Sequence, residues 1–293
     1  MKDKAGKLDP PVVTITKAVI PAAGRGTRMM PISRAIPKEM FAVGRKPMIQ
    51  YIVEEAIQSG LRELCIVIRE GKEIIREYFA VNGSSRELNP YVMELGTLLA
   101  KCELTFVFQK DQLGLGDALA KARDFVGGEP FVMMIPDQLI VGRKPATAQL
   151  LEHYKPGAVF SSLLRLPKSE RRFFAGARGV DYRKISEREV TISRLLNEEE
   201  TRKIHVELDY EVRGFGRTIF PPEIFDYLGP EFTNPETGEI DLLKTFESCA
   251  RDLEIRGLWL EGEPFDLGTF QGYYRYLPRL WELQEDFELS RGA

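Results

Sequence analysis

The feature that most constrains this chain is a five-residue apolar run, Leu64-Cys-Ile-Val-Ile68, which follows an amphipathic stretch. A strand that is apolar on both faces belongs in a parallel sheet covered by helices on both sides. In residues 47–59, Met48, Ile49, Ile52, Val53, Ala56 and Ile57 recur at helical spacing, and Gly60 is a natural stop. Residues 16–21 (Thr-Lys-Ala-Val-Ile-Pro) read as a short buried strand. Strand, helix, strand in that order is a βαβ unit.

The alternation continues along the chain. Helical spacing is predicted at 72–79 and 116–125, and strands at 104–109, 131–135 and 158–166. The later part is richer in strands, at 190–196, 214–220 and 255–260. Residues 167–213 are highly charged and are expected to hold exposed hairpin or loop material, and 272–289 a terminal helix or two. No repeat or low-complexity linker divides the chain. The expected organisation is one domain over 12–293, preceded by a flexible stretch at 1–11. Its subdivisions are a first part over 12–157, a second over 158–272 and a helical tail over 273–293.

Composition removes several classes of function. The 293 residues include 41 basic and 44 acidic side chains, a net charge of −3. That balance gives no global reason to expect a nucleic-acid or anionic-membrane partner. It leaves room for a local cationic pocket. Cys65, Cys102 and Cys249 form no CxxC pair, and their odd number argues against a disulfide framework. His153 and His205 lack zinc-ligand spacing. Met1 to Pro11 is charged and does not read as a signal peptide. No apolar stretch reaches the length of a membrane span. A cytoplasmic chain with reduced thiols is expected.

The chemistry is concentrated after the first strand, in Pro21-Ala-Ala-Gly-Arg-Gly-Thr-Arg-Met-Met-Pro31 and Ile36-Pro-Lys-Glu-Met40. Glycines allow a sharp turn whose N–H groups form an anion-binding concavity. Arg25, Arg28 and Lys38 add fixed positive charge suited to phosphate oxygens. A Walker A loop is absent. The dinucleotide fingerprint fails because Met29 stands where its third glycine belongs. A hydride-transferring enzyme is thereby disfavoured.

Gly24-x-Gly-Thr-Arg-x-x-Pro31 followed by Pro37-Lys-Glu-Met40, with Lys46-Pro-Met-Ile-Gln-Tyr51, resembles the sugar-nucleotide pyrophosphorylases. The nearest likeness is to the bacterial UTP–glucose-1-phosphate uridylyltransferases. Gln109 with Leu113-Gly-Leu-Gly-Asp-Ala118, Pro136-Asp137, Gly214-Phe-Gly-Arg217, Gly238-Glu-Ile-Asp-Leu-Leu243 and Phe265-Asp-Leu-Gly-Thr269 extend the resemblance over most of the chain. The implied fold is a Rossmann-like α/β domain. Its mixed, mainly parallel sheet would be flanked by helices, with a smaller β-rich lobe on the sugar side.

The resemblance also implies roles. Nucleotide contacts fall on Ala22, Ala23, Gly24, Gly26, Thr27, Gln109 and Gly114, and the catalytic cations are Arg28 and Lys38. Mg²⁺ falls to Asp137 and Asp266, and sugar contacts to Gly179 and Glu239. Two carboxylates completed by phosphate oxygens and water suit Mg²⁺. The implied substrates are a nucleoside triphosphate, UTP by the nearest likeness, and a sugar 1-phosphate. Homodimers or tetramers are common in such a family, and the segment around Tyr273, Tyr274, Tyr276, Leu277 and Trp281 suits either an interface or packing on the core.

One family motif is missing. Val-Glu-Lys-Pro places a Glu on the sugar and a Lys on its phosphate. Here Leu196 is followed by Asn197 and Glu198, which reverses the charge at the lysine position. Arg194, Arg202 and Lys203 are neighbouring cations able to substitute, and Arg178 stands where the family has Tyr before the glycine. Two other readings follow from this departure: an enzyme with a different acceptor, and a non-catalytic nucleotide-binding regulator. A glycosyltransferase is disfavoured because no Asp-x-Asp signal surrounds residue 137.

Overall fold

The computed structural model describes residues 14–81, 89–174, 178–204, 206–235, 237–240 and 242–291. The stretch 1–11, expected to be flexible, lies outside the described residues, as do His205 and Asp241. The first half contains β1 (Lys17–Pro21), β2 (Ala42–Val43), β3 (Lys46–Pro47), α1 (Met48–Gln58), β4 (Glu63–Ile68), α2 (Glu73–Phe79), α3 (Pro90–Leu99), β5 (Glu103–Phe108), α4 (Gly114–Ala120), α5 (Arg123–Val126), β6 (Phe131–Met134), β7 (Gln138–Val141) and α6 (Ala146–His153). The second half contains β8 (Val159–Pro167), β9 (Gly179–Lys184), β10 (Glu189–Leu196), α7 (Glu198–Ile204), β11 (Tyr210–Phe220), α8 (Leu242–Cys249), β12 (Ile255–Trp259), β13 (Glu263–Asp266) and α9 (Phe270–Arg291).

Local sequence explains most of these elements. The apolar face of α1 is buried from Met48 to Ile57, and Leu64 to Ile68 in β4 are inaccessible on both faces. The single helix expected at 116–125 is two, α4 and α5, broken between Ala120 and Arg123. Asn89 caps α3 by accepting the Tyr91 N–H at 3.0 Å, with Pro90 in the first turn.

Nine strands form one sheet in the order β5-β4-β1-β6-β11-β8-β12-β10-β9. Pairing is parallel among β5, β4, β1 and β6 and again between β8 and β12. The remaining neighbours pair antiparallel. The sheet is therefore mixed. Its β-rich second half continues the first edge to edge, through β6 and β11. β9 also meets β11 at Gly179 and Arg213, so the outer strands curl back on themselves. The charged stretch 167–213 contains the expected hairpin, but it is less exposed than its charge suggests. Val180, Leu196, Thr201, Glu211 and Arg213 are all buried.

Alternate residues of the central strands feed two apolar layers. Ala18 and Ile20 join the layer of α1, while Val19 joins Phe131 and Phe220 on the opposite face. The tail is one helix, α9. Its Tyr276 ring packs edge-on against Phe173, Phe174 and Phe265. Tyr274 and Trp281 remain exposed. Among the described residues no helix is long and apolar enough to cross a membrane.

A buried ion pair joins the layers. Arg217 on β11 is fully buried and donates to both oxygens of Glu55 on α1, at 2.8 and 2.7 Å. Glu55 also accepts from the Thr147 N–H and hydroxyl, at 3.0 and 2.7 Å. The same guanidinium donates to the carbonyls of Ile135 and Gln138, at 3.1 and 2.9 Å. Burial opposes ionisation of Glu55, but the charge and hydrogen bonds of Arg217 outweigh it and hold the carboxyl below its usual range. Its stabilising contribution is complete above an unfolded pKa of about 4.3 and is lost as pH falls through the lower folded value. Arg217→Met strands the carboxylate and is expected to cost about 3–5 kcal/mol. In that variant burial raises the Glu55 pKa, so protonation relieves the defect. Urea unfolding should show a larger gap between wild type and variant at about pH 7.5 than at about pH 5. Equal gaps would show that Glu55 is not the stranded partner.

Candidate active site

A cleft of about 470 Å³ opens where β1, β5 and β6 end. In open α/β sheets this is where ligands bind. One wall is the loop after β1, with Ala23, Gly24, Arg25, Thr27 and Arg28, joined by Lys38. Its position is fixed from below. Lys72 is buried and donates to the Ala22 carbonyl at 2.6 Å and to Glu39 at 2.7 Å. That pair ties the turn carrying Lys38 to the strand end carrying the glycine loop. Arg25 Nε donates to Gln112 Oε1 at 2.8 Å across the cleft mouth.

Asp137 and Asp266 form the floor. Asp137 immediately precedes β7, and β13 pairs antiparallel with β7 so that Asp266 lies opposite Gln138. This two-stranded ribbon brings together carboxylates that are 129 positions apart in the chain. Gly268 N–H and Gln138 Nε2 donate to Asp266 at 2.9 and 3.1 Å. A Cβ on residue 268 would lie 2.5 Å from Asp137 Oδ2 and 3.1 Å from Asp266 Oδ1, so both carboxylates face one point.

The electrostatics follow from that crowding. Lys38 Nζ donates to Asp137 Oδ2. Burial opposes the charge on Asp137, but Lys38 outweighs it, with help from Arg28, and holds the carboxyl below its usual range. Burial works against the Lys38 ammonium too, yet Asp137, Glu39 and Asp266 keep its pKa above the ordinary value. Asp266 is pushed up to about 6, by burial first and then by the negative charge of Asp137. Two buried carboxylates repelling one another at the edge of a cationic cleft suit a hard divalent cation completed by substrate oxygens. Among the described residues no group of three His, Cys, Asp or Glu side chains offers a fully protein-built metal cage.

Gln109 sits buried at the end of β5. Its amide nitrogen donates to the Gly114 carbonyl at 3.0 Å and to Asp117 Oδ2 at 2.8 Å. Asp117 as a carboxylate can only accept, which orients the amide and leaves the Gln109 oxygen as the acceptor lining the cleft. Gly114, at φ +91°, closes the site against residues 239–240, where a Cβ would meet Glu239 Cβ at 2.8 Å. Two backbone bonds complete this clasp, Gly116 N–H to Ile240 and Ile240 N–H to Leu113, each 2.7 Å. They hold Glu239 on the cleft wall.

The cleft thus gathers Ala23, Gly24, Thr27, Arg28, Lys38, Gln109, Gly114, Asp137, Glu239 and Asp266. Three expected residues are not on its lining. Ala22 is buried, its N–H donating to Val67 and its carbonyl accepting from Lys72. Gly26 lies behind the loop, its carbonyl accepting from Ser33 Oγ at 2.8 Å. Gly179 is buried off the lining, and a Cβ there would come within 2.0 Å of Thr201 Oγ1 on α7. Arg194, Arg202 and Lys203 are also absent from the lining, whereas Arg178 is on it. The supporting residues Glu55, Lys72, Gln138 and Arg217 act through distant partners. Only Arg217 stood in a recognisable segment.

A family model for nucleotidyl transferases matches residues 17–174, more than half of the chain. The chain belongs to the nucleotidyl transferase family. This nucleotidyl transferase is 32% identical over 287 residues to the UTP–glucose-1-phosphate uridylyltransferase of Staphylococcus haemolyticus, an alignment covering 89% of this chain and 90% of the relative. It is 32% identical over 271 residues to UTP–glucose-1-phosphate uridylyltransferase 2 of Staphylococcus saprophyticus, with 89% and 90% covered. It superimposes with a TM-score of 0.79 on a UDP-glucose pyrophosphorylase crystallised with UDP-glucose, at 26% identity over 92% of this chain and 99% of that one. A UTP-bound enzyme from Acinetobacter baumannii shares the fold, with a TM-score of 0.77, 24% identity, and 94% and 99% of the two chains covered.

Gly268→Ala tests the floor of the transferase site. The new methyl would push apart Asp137 and Asp266. A displacement of about 1 Å is expected to lower turnover roughly 10²-fold. Steady-state kinetics beside a thermal melt would check this. Unchanged turnover would mean that the two carboxylates do not act as a unit.

Proposed function

We propose that this enzyme transfers the uridylyl group of UTP to glucose 1-phosphate, forming UDP-glucose and pyrophosphate. The observation that carries the reading is the convergence of a cationic glycine loop and two buried carboxylates on one cleft. The names of the relatives supply the substrates. A phosphate oxygen of the sugar phosphate forms a bond to the α-phosphorus of UTP. The bond from that phosphorus to the oxygen bridging to the β-phosphate breaks, and the electron pair leaves with pyrophosphate. Positioning and electrostatic stabilisation suffice for such a displacement.

Each residue then has a task. Arg28 and the N–H groups of residues 23–27 grip the triphosphate. Lys38 offsets negative charge beside the reacting phosphates. Asp137 and Asp266 are the residues that would hold Mg²⁺, which when bound neutralises phosphate oxygens and aligns them. The Gln109 oxygen accepts the uracil N3–H. Cytosine presents an acceptor at that atom, so the same oxygen rejects it. Glu239 accepts hydrogen bonds from sugar hydroxyls.

Pyrophosphate release with Mg²⁺, UTP and a panel of sugar 1-phosphates is the direct test. Release with glucose 1-phosphate is expected, and a chelator should abolish it until Mg²⁺ is restored. Asp137→Asn is expected to lower turnover by about 10²–10³-fold without unfolding the chain. Replacing UTP with CTP should lower kcat/KM roughly 10²-fold or more. Release confined to another sugar phosphate would reassign the acceptor. UTP binding with no release across the panel would contradict catalysis and favour a nucleotide-binding regulator.

A further inference from the structure

The charge reversal at Glu198 leaves a question that the structure answers in two parts. First, Glu198 does not oppose a phosphate. It accepts two hydrogen bonds from Arg213, at 2.6 and 3.1 Å, and Arg171 lies 3.5 Å away. The Arg213 bonds hold its carboxyl below the usual range. Arg213 is itself buried on β11 and shared with Glu211 at 2.6 Å. The acidic side chain is thus spent on an internal pair, and it is absent from the cleft lining.

Second, several other cations of this half are engaged elsewhere. Arg171 pairs with Glu211 at 3.1 Å, Arg194 with Glu200 at 2.6 Å, and Arg217 with Glu55. Among the described residues, Arg178 is the one cation from the second half of the chain that lines the cleft. Its backbone is held firmly. The Arg178 carbonyl accepts the Gly214 N–H at 2.7 Å, and the adjacent Gly179 is pinned beneath Thr201. Its side chain is exposed beside Leu195, Gly214 and Phe215, across the cleft from the loop carrying Arg28.

We infer that Arg178 holds the phosphate of the sugar 1-phosphate. The curl that joins β9 to β11 sets the residue at the rim, and the planar guanidinium supplies a two-pronged grip on phosphate oxygens. A lysine at the position of Glu198 would supply a point charge from the neighbouring strand end. Here the task moves to the residue just before β9, and Glu198 becomes the counter-ion of Arg213. The inference rests on the proposed acceptor being a sugar 1-phosphate.

Arg178→Ala and Arg178→Lys, compared with wild type, test the assignment. For Arg178→Ala the KM for glucose 1-phosphate should rise roughly 10- to 100-fold, the weight of a charge-assisted hydrogen-bond pair. The KM for UTP, and the calorimetric affinity for UTP alone, should stay within about twofold. Arg178→Lys should recover part of the loss, because charge returns without the fork. A KM for the sugar phosphate within about twofold of wild type would overturn the inference, and so would equal losses for both substrates. If wild type released no pyrophosphate, the proposed reaction would fail separately. Calorimetric titration with glucose 1-phosphate would then decide for Arg178. Weaker binding by Arg178→Ala supports the role; unchanged binding, or none by wild type, overturns it.

Discussion

The guanidinium of Arg217 is the joint on which the site depends. It binds Glu55 on α1 through two nitrogens and reaches the carbonyls of Ile135 and Gln138. Those carbonyls flank Pro136-Asp137. One side chain therefore anchors the turn that carries a cleft carboxylate to both a helix and the strand β11. A buried ion pair contributes little net stability when its desolvation is counted. Here it fixes a position. The arginine holds the loop leaving β6 together with two backbone bonds, Ile135 N–H to the Gly216 carbonyl and Leu267 N–H to the Asp137 carbonyl, each 2.8 Å.

Around that joint most of the carboxylates face a cation. Asp137 faces Lys38, Glu39 faces Lys72, and Glu198 faces Arg213. Asp266 is the least compensated of these, with a Gln amide and one backbone N–H but no cation bonded to it. Burial and then the neighbouring charge of Asp137 raise its pKa, and no bonded cation offsets them. A cleft with one comfortable and one uncomfortable carboxylate, beside exposed arginines, is the arrangement on which the proposed binding of phosphates with a cation rests. The same economy of pairing explains how the chain tolerates an acidic residue at Glu198.

Much of this was legible in the sequence because it is local. The apolar run of β4, the period of α1 and the glycine-cation loop each declare themselves within about a dozen residues. Asp137 was legible as the residue after an apolar strand. What stayed hidden depends on partners far away in the chain. The β7–β13 ribbon unites Asp137 and Asp266, yet neither four-residue strand carries a distinctive pattern. Nothing near Lys72 points to Glu39. The close approach of Thr201 to Gly179 was not legible either, because a glycine needed for packing has the same signature in sequence as one needed for a ligand. Residues 167–213 looked exposed because their charges pair internally, and pairing leaves no mark on composition.

The reverse reaction offers the most direct measurement. Purified chain would be incubated with UDP-glucose, pyrophosphate and Mg²⁺ and followed by phosphorus NMR. Nucleotidyl transfer within one cleft predicts that UTP and glucose 1-phosphate resonances grow together in equal amounts while UDP-glucose declines. Accumulation of UMP or free phosphate instead, or a spectrum that does not change, would contradict transfer of a nucleotidyl group between two phosphates at this site.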